Sequence, residues 1–176
     1  MSEKPISLSI MKQAFQHLDT KLKSAVVLIM GGGGAMIFAH GFPLATTDVD
    51  AIPKGIDLEE LDIITREVAK EMNLPSDWLN YYFSTFAYVV LPDFEKNLIE
   101  VFNGKFLKVK CLSKEDMLIM KCFAHRPKDV SHAKSLLKKG VNLQKVEDHI
   151  ETLKAKKIGE ATKALEFLDD LLEQME

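Results

Sequence analysis

Apolar residues recur at helical spacing from the start of the chain. Leu8, Met11, Phe15, Leu18 and Leu22 fall on one stripe, and Ser7 is placed to cap that helix. Ala25 to Met30 is apolar throughout, as in a central strand buried on both faces, and it stops at Gly31. After four glycines a short helix is expected over Ala35 to His40, closed by Gly41 and by Phe42-Pro43, which cannot continue it. Thr46 to Ile52 alternates, so a strand there sends Asp48 and Asp50 to one side and Val49 and Ala51 to the other. Pro53 and Gly55 mark the exit turn. Asp57-x-x-Glu60 has the form of a capping box, ahead of a helix with Leu58, Leu61, Thr65, Val68 and Met72 on one face. Asn73 to Leu79, which holds the only Trp, reads as a loop.

Phe83 to Leu91, Asn97 to Phe102 and Phe106 to Cys111 read as three strands, being rich in aromatic and β-branched residues. Asn103-Gly104 predicts a hairpin that makes the last two antiparallel neighbours. From there the period becomes helical. Ser113 caps one helix, Pro127 and Gly140 bracket a second, Asn142 caps a third, and Ala161, Leu165, Leu168, Leu172 and Met175 stripe a fourth, as core or as a dimer seam. The order predicts an α+β fold: a mixed sheet packed with helices over residues 1–112, then a helical C-terminal part, 113–176, packed on it as one compact unit.

Composition narrows the class. A chain of 176 residues, 47% hydrophobic and 28% charged, has the make-up of a globular domain that buries roughly two-thirds of its unfolded surface. A net charge of -3 supplies no general field for polyanions, which argues against wholesale nucleic-acid binding. Cys111 and Cys122 form no CxxC and read as reduced thiols. No run approaches a membrane span, and the N-terminus lacks a signal-peptide core, so a cytoplasmic protein without a membrane partner is expected.

The chemistry gathers between Gly31 and Asp50. A phosphate-binding P-loop needs Lys and Ser or Thr after its last glycine, where Ala35-Met36-Ile37 stands; a dinucleotide fingerprint needs a sixth-position glycine, where Met36 or Ile37 stands. A turn whose amides meet phosphates at a helix start remains, beside the plainer alternative of a flexible connection. Two carboxylates on one strand face repel unless a cation lies between them, and hard oxygen donors favour Mg²⁺ or Mn²⁺.

Gly33-Gly34, the segment Ala35 to Gly41, then Thr46, Asp48 and Asp50 resemble the signature of the nucleotidyltransferase fold of the polymerase β-like superfamily. The pattern is most similar to its minimal bacterial branch, which includes the nucleotidyltransferases of abortive-infection type toxin-antitoxin systems. Leu112 to Asp129, with Lys121, Arg126 and Lys128-Asp129, is similar to that branch's second block. The resemblance implies transfer of a nucleoside monophosphate from an NTP to a hydroxyl acceptor, with release of pyrophosphate. It implies Asp48, Asp50 and Glu100 as catalytic metal ligands in a two-metal reaction, and Gly33, Gly34, Thr46 and Lys121 as nucleotide contacts. The acceptor is left open among a protein, an RNA end and a small molecule, and a partner antitoxin or a homodimer belongs to the same expectation.

Three departures stand out: Leu44 where the family often has Arg, Gly34 where it often has Ser, and Glu100 in place of Asp. They motivate an alternative, a catalytically silent fold that acts as a nucleotide-binding or regulatory partner. A third option is a structural α+β protein whose Asp pair caps a turn. His125, Arg126, Lys128 and His132 form a basic cluster at a turn between helices, open between a cleft-facing and a solvated role.

Overall fold

The computed structural model describes residues 4–42, 45–81 and 87–176. In chain order its elements are α1 (Leu8–Lys21), β1 (Val26–Met30), α2 (Gly32–His40), β2 (Val49–Lys54), α3 (Leu58–Met72), β3 (Leu79–Asn80), β4 (Ile99–Asn103), β5 (Leu107–Cys111), α4 (Lys114–Ala124), α5 (Asp129–Lys138), α6 (Leu143–Ala155) and α7 (Ala161–Met175). Among the described residues five strands make one mixed sheet, in the order β3-β2-β1-β5-β4, and the fold is α+β with a helical C-terminal part. The chain divides into two units. One comprises Met1–Thr85 and Leu98–Leu112, the other Phe86–Asn97 and Ser113–Glu176.

The first unit is the sheet with α1, α2 and α3. β1 runs antiparallel to β2 and parallel to β5, so it is hydrogen-bonded on both sides, as its unbroken apolar sequence requires. Register sets Leu28 and Met30 beside Val109 and Cys111, all buried. α1 starts where Ser7 Oγ accepts from the Ile10 amide and buries Met11, Ala14, Phe15 and Leu18. Phe15 is the hub of this core, with ring centroids 6.1 Å from Phe38 on α2, 6.3 Å from Trp78 and 5.9 Å from Phe102 on β4. The Asn103-Gly104 hairpin joins β4 to β5 as antiparallel neighbours, with Gly104 N–H donating to the Leu107 carbonyl at 2.7 Å. Asp19 of α1 binds that turn. Its carboxylate accepts from the amides of Lys105 (2.9 Å), Phe106 (2.7 Å) and Leu107 (2.7 Å).

In the second unit α4 is the central helix, packed on α5, α6 and α7. It buries Met117, Leu118, Ile119 and Cys122. Ser113 caps it, and Asp116 beneath the cap accepts from the Leu91 amide at 2.8 Å and from Ser113 Oγ at 2.9 Å. Asn142 caps α6 by accepting from Lys145 N–H at 3.1 Å.

Several expected boundaries move. α2 begins at Gly32, inside the glycines, because the turn must wind close to β2. β2 begins at Val49 and runs through Pro53, which a strand tolerates here because β3 pairs only with Val49 and Asp50 and ends before it. The expected loop around Trp78 ends in β3, parallel to β2. Of the strand expected over Phe83 to Leu91, residues 83–86 lie outside the described residues and 87–89 form a 3-10 turn. There the Val89 carbonyl accepts from His149 and the Leu91 amide donates to Asp116, so backbone groups that a ladder would use are tied to helices. α7 buries Ala161, Ala164, Leu168 and Leu171, while Leu165 and Leu172 are only half-buried and Met175 is exposed.

Candidate functional site

β1 delivers the chain to Gly31, whose N–H donates to the Asp50 carbonyl at 2.9 Å. The glycine turn is thereby laced to β2 at a candidate carboxylate. Gly32 has φ +58°, a conformation that side chains rarely adopt, and a Cβ there would overlap Asp50 Oδ2. At Gly33 a Cβ would come to 3.0 Å from Thr46 Oγ1. Glycine is thus required at 32 by the Asp50 carboxylate and by φ, and at 33 a side chain would press on Thr46; both side chains lie against the first turn of α2. That turn is where a helix leaves amides without intrahelical acceptors and carries partial positive charge. Gly34 is different. It is buried, and a Cβ there would meet Met30 Sδ at 3.1 Å and Met11 Sδ at 3.5 Å, so its smallness serves the core.

Thr46 holds the approach to β2. Its backbone pairs with Ile6 (2.7 and 3.1 Å), and its Oγ1 donates to the Asp48 carbonyl at 2.9 Å. Asp48 therefore sits in a bend ahead of the strand, and period-two alternation applies only from Val49 onward. Asp50 lies within β2, half-buried, and Asn80 on β3 is its register partner. Asn80 Nδ2 donates to Asp50 Oδ1 at 2.9 Å.

The structure thus draws Gly32, Gly33, Thr46, Asp50 and Asn80 into one place, with Asp48 two residues from Asp50 on the entering bend. Leu44 lies outside the described residues. Glu100 is elsewhere on the sheet. It is exposed on the edge strand β4, in register with Lys110, and β5 and β1 separate it from β2. Three interstrand spacings amount to about 14 Å, more than one cation's ligand shell spans, so sheet order keeps Glu100 from Asp48 and Asp50. His40, expected at a helix end, is buried there and donates from Nε2 to the Leu112 carbonyl at 2.9 Å.

Lys121 belongs to the second unit. It is 5% exposed, and its Nζ lies 3.0 Å from Asp129 Oδ1. Asp129, fully buried, also accepts from Arg126 Nε (2.7 Å), Nη2 (3.2 Å) and backbone N–H (3.2 Å). Burial works against charge on Asp129, but the Arg126 and Lys121 donors outweigh it and hold the carboxyl below its usual range. The basic cluster is therefore organised around an anion of its own. His132 beside it is pushed below the ordinary imidazole value, by partial burial first and by the charge of Lys121 second.

Two functional-looking residues escape sequence pattern. Asn80 is exposed as a site residue only by the pairing of β3 with β2; its one local signal is the short apolar run Trp78-Leu79 ahead of it. Asp129 closes a motif read for its cations, yet it is the centre that gathers them. Chemically, the first-unit site offers carboxylate oxygens beside helix N-terminal amides. That donor set suits a hard divalent cation and the anionic oxygens it would carry.

The model of one family, described as nucleotidyltransferase of unknown function (DUF6036), matches residues 7–171 of the chain. No curated protein and no solved structure matches it.

Proposed function

The chain belongs to the family of nucleotidyltransferases of unknown function, and from that membership we propose that it moves a nucleoside monophosphate from an NTP to a hydroxyl acceptor and releases pyrophosphate. The observation that supports this is the proximity of Asp50 and Thr46 to Gly32 and Gly33, a carboxylate and a hydroxyl beside a glycine turn of the kind that accommodates phosphate. Asp48 and Asp50 would hold Mg²⁺ or Mn²⁺. The cation supplies charge neutralisation of the triphosphate and of the departing pyrophosphate. The amides of the first turn of α2 bind phosphate oxygens and cost no reorganisation, because the Gly31 bond to β2 already fixes them. Thr46 orients the bend that carries Asp48. Glycine at 32 and 33 keeps the backbone within reach.

The test is thermal unfolding with Mg²⁺ and each NTP in turn. A nucleotide that binds at a hundred times its Kd raises stability by about 2.7 kcal/mol, and the double variant Asp48→Asn with Asp50→Asn should lose that gain. Absence of stabilisation by any NTP with either ion would overturn the proposal. The amide of Asn80 at Asp50, with Glu100 on the far edge of the sheet, favours a second function, nucleotide binding without transfer. Labelled nucleotide appearing on protein, RNA or a small molecule decides for the first. Kinship with toxin-antitoxin nucleotidyltransferases is proposed on the Lys121 to Asp129 pattern, and it predicts an antitoxin that co-purifies when the neighbouring gene is co-expressed.

A further inference from the structure

We infer that Asn80 is a positioning residue for Asp50, and that the site it completes takes one divalent cation with its nucleotide. This rests on the cation and nucleotide site at Asp48 and Asp50 proposed above, which both readings share. β3 is only two residues long, yet its place is fixed from several sides. Val49 N–H donates to the Trp78 carbonyl at 2.7 Å, Trp78 Nε1 donates to the Thr65 carbonyl at 3.0 Å, and Tyr81 Oη meets Thr65 Oγ1 at 2.8 Å. Two aromatic side chains anchored on α3 therefore bracket Leu79-Asn80, and the Asn80 amide is presented to Asp50 by a held backbone. Only the orientation with Nδ2 toward Asp50 pairs a donor with the carboxylate; the flipped amide would set oxygen against oxygen. The bond fixes Oδ1, and Oδ2 is then directed at the Gly32 turn. A carboxylate's terminal torsion is broad on its own, so this contact favours the rotamer that faces that turn.

Charge makes the second half of the inference. An acid at position 80 would bring a second carboxylate against Asp50, an arrangement that calls for another cation or a shared proton. An amide adds no charge. The local acids are then Asp48 and Asp50, two carboxylates that the ligand shell of one divalent cation can take, and Glu100 is about 14 Å across the sheet.

Electron paramagnetic resonance of Mn²⁺ titrated into the chain with a non-hydrolysable NTP analogue tests both halves. The wild type should bind one Mn²⁺ per chain, and Asn80→Ala should weaken that binding about tenfold, the loss of one charge-assisted bond. Asn80→Asp, close in shape and so expected to fold, should bind a second Mn²⁺. Unaltered affinity in Asn80→Ala, two Mn²⁺ in the wild type, or no change in stoichiometry in Asn80→Asp would overturn the inference while leaving the proposed function in place. No Mn²⁺ bound by the wild type with the analogue of any of the NTPs would remove the inference, and the proposed function with it only if thermal stabilisation by every NTP with either ion is absent as well.

Discussion

Asp129 and Lys121 share a buried contact in which each makes the other tolerable, and the two can be separated by substitution. Asp129→Ala would strand the Lys121 ammonium and should cost about 3–5 kcal/mol in denaturant unfolding. Lys121→Met keeps the volume, and Asp129 retains its Arg126 donors, so the loss should be clearly smaller. His132 supplies a pH handle. Its folded value lies below the ordinary 6.5, so in the window between the two the unfolded chain binds more protons and stability rises with pH. The melting temperature should fall as pH drops from about 6.5 toward the folded value, and His132→Gln should flatten that part of the curve. Asp116 titrates the other way. Burial raises its carboxyl against the Leu91 and Ser113 donors, so its contribution is full below the ordinary 3.8 and fades as pH rises through the raised value.

At the scale of elements, the β4–β5 hairpin depends on the side chain of Asp19 and the glycine turn on those of Thr46 and Asp50. Asp19→Ala removes an acceptor shared by three turn amides, and by analogy with a helix cap it should cost about 1–2 kcal/mol, read as a lower denaturation midpoint. The glycines separate by role. Gly32→Ala should abolish NTP-dependent stabilisation, since its φ of +58° and the Asp50 carboxylate both oppose a Cβ. Gly34→Ala presses on the flexible ends of Met30 and Met11 and should change folding stability more than nucleotide response.

The elements themselves were largely legible: α1, β1, α3, the Asn103-Gly104 hairpin and the caps at Ser113 and Asn142 follow from period and end chemistry. What escaped depends on partners distant in sequence. β3 is too short to show a period, and polyglycine has so little helix propensity that the start of α2 at Gly32 was hidden. The Asp48-Asp50 spacing and the glycines mark a candidate site in the sequence. Which third residue lies beside them depends on sheet order, which puts Asn80 next to Asp50 and Glu100 three strands away.

Across the whole molecule the thiols are quiet. Burial pushes Cys111 up to about 12 and Cys122 higher still, so neither should react with a thiol reagent at neutral pH until the chain unfolds. No helix among the described residues is long and apolar enough to cross a membrane. The sheet order has a further consequence for synthesis. β1, β2 and β3 leave the ribosome in the first 80 residues, but β1 needs β5 as its second neighbour, and β5 lies at Leu107–Cys111. Until then the apolar flank of β1 is an open edge able to recruit another nascent chain. A pause in translation just short of the hairpin would therefore prolong the exposure of that edge.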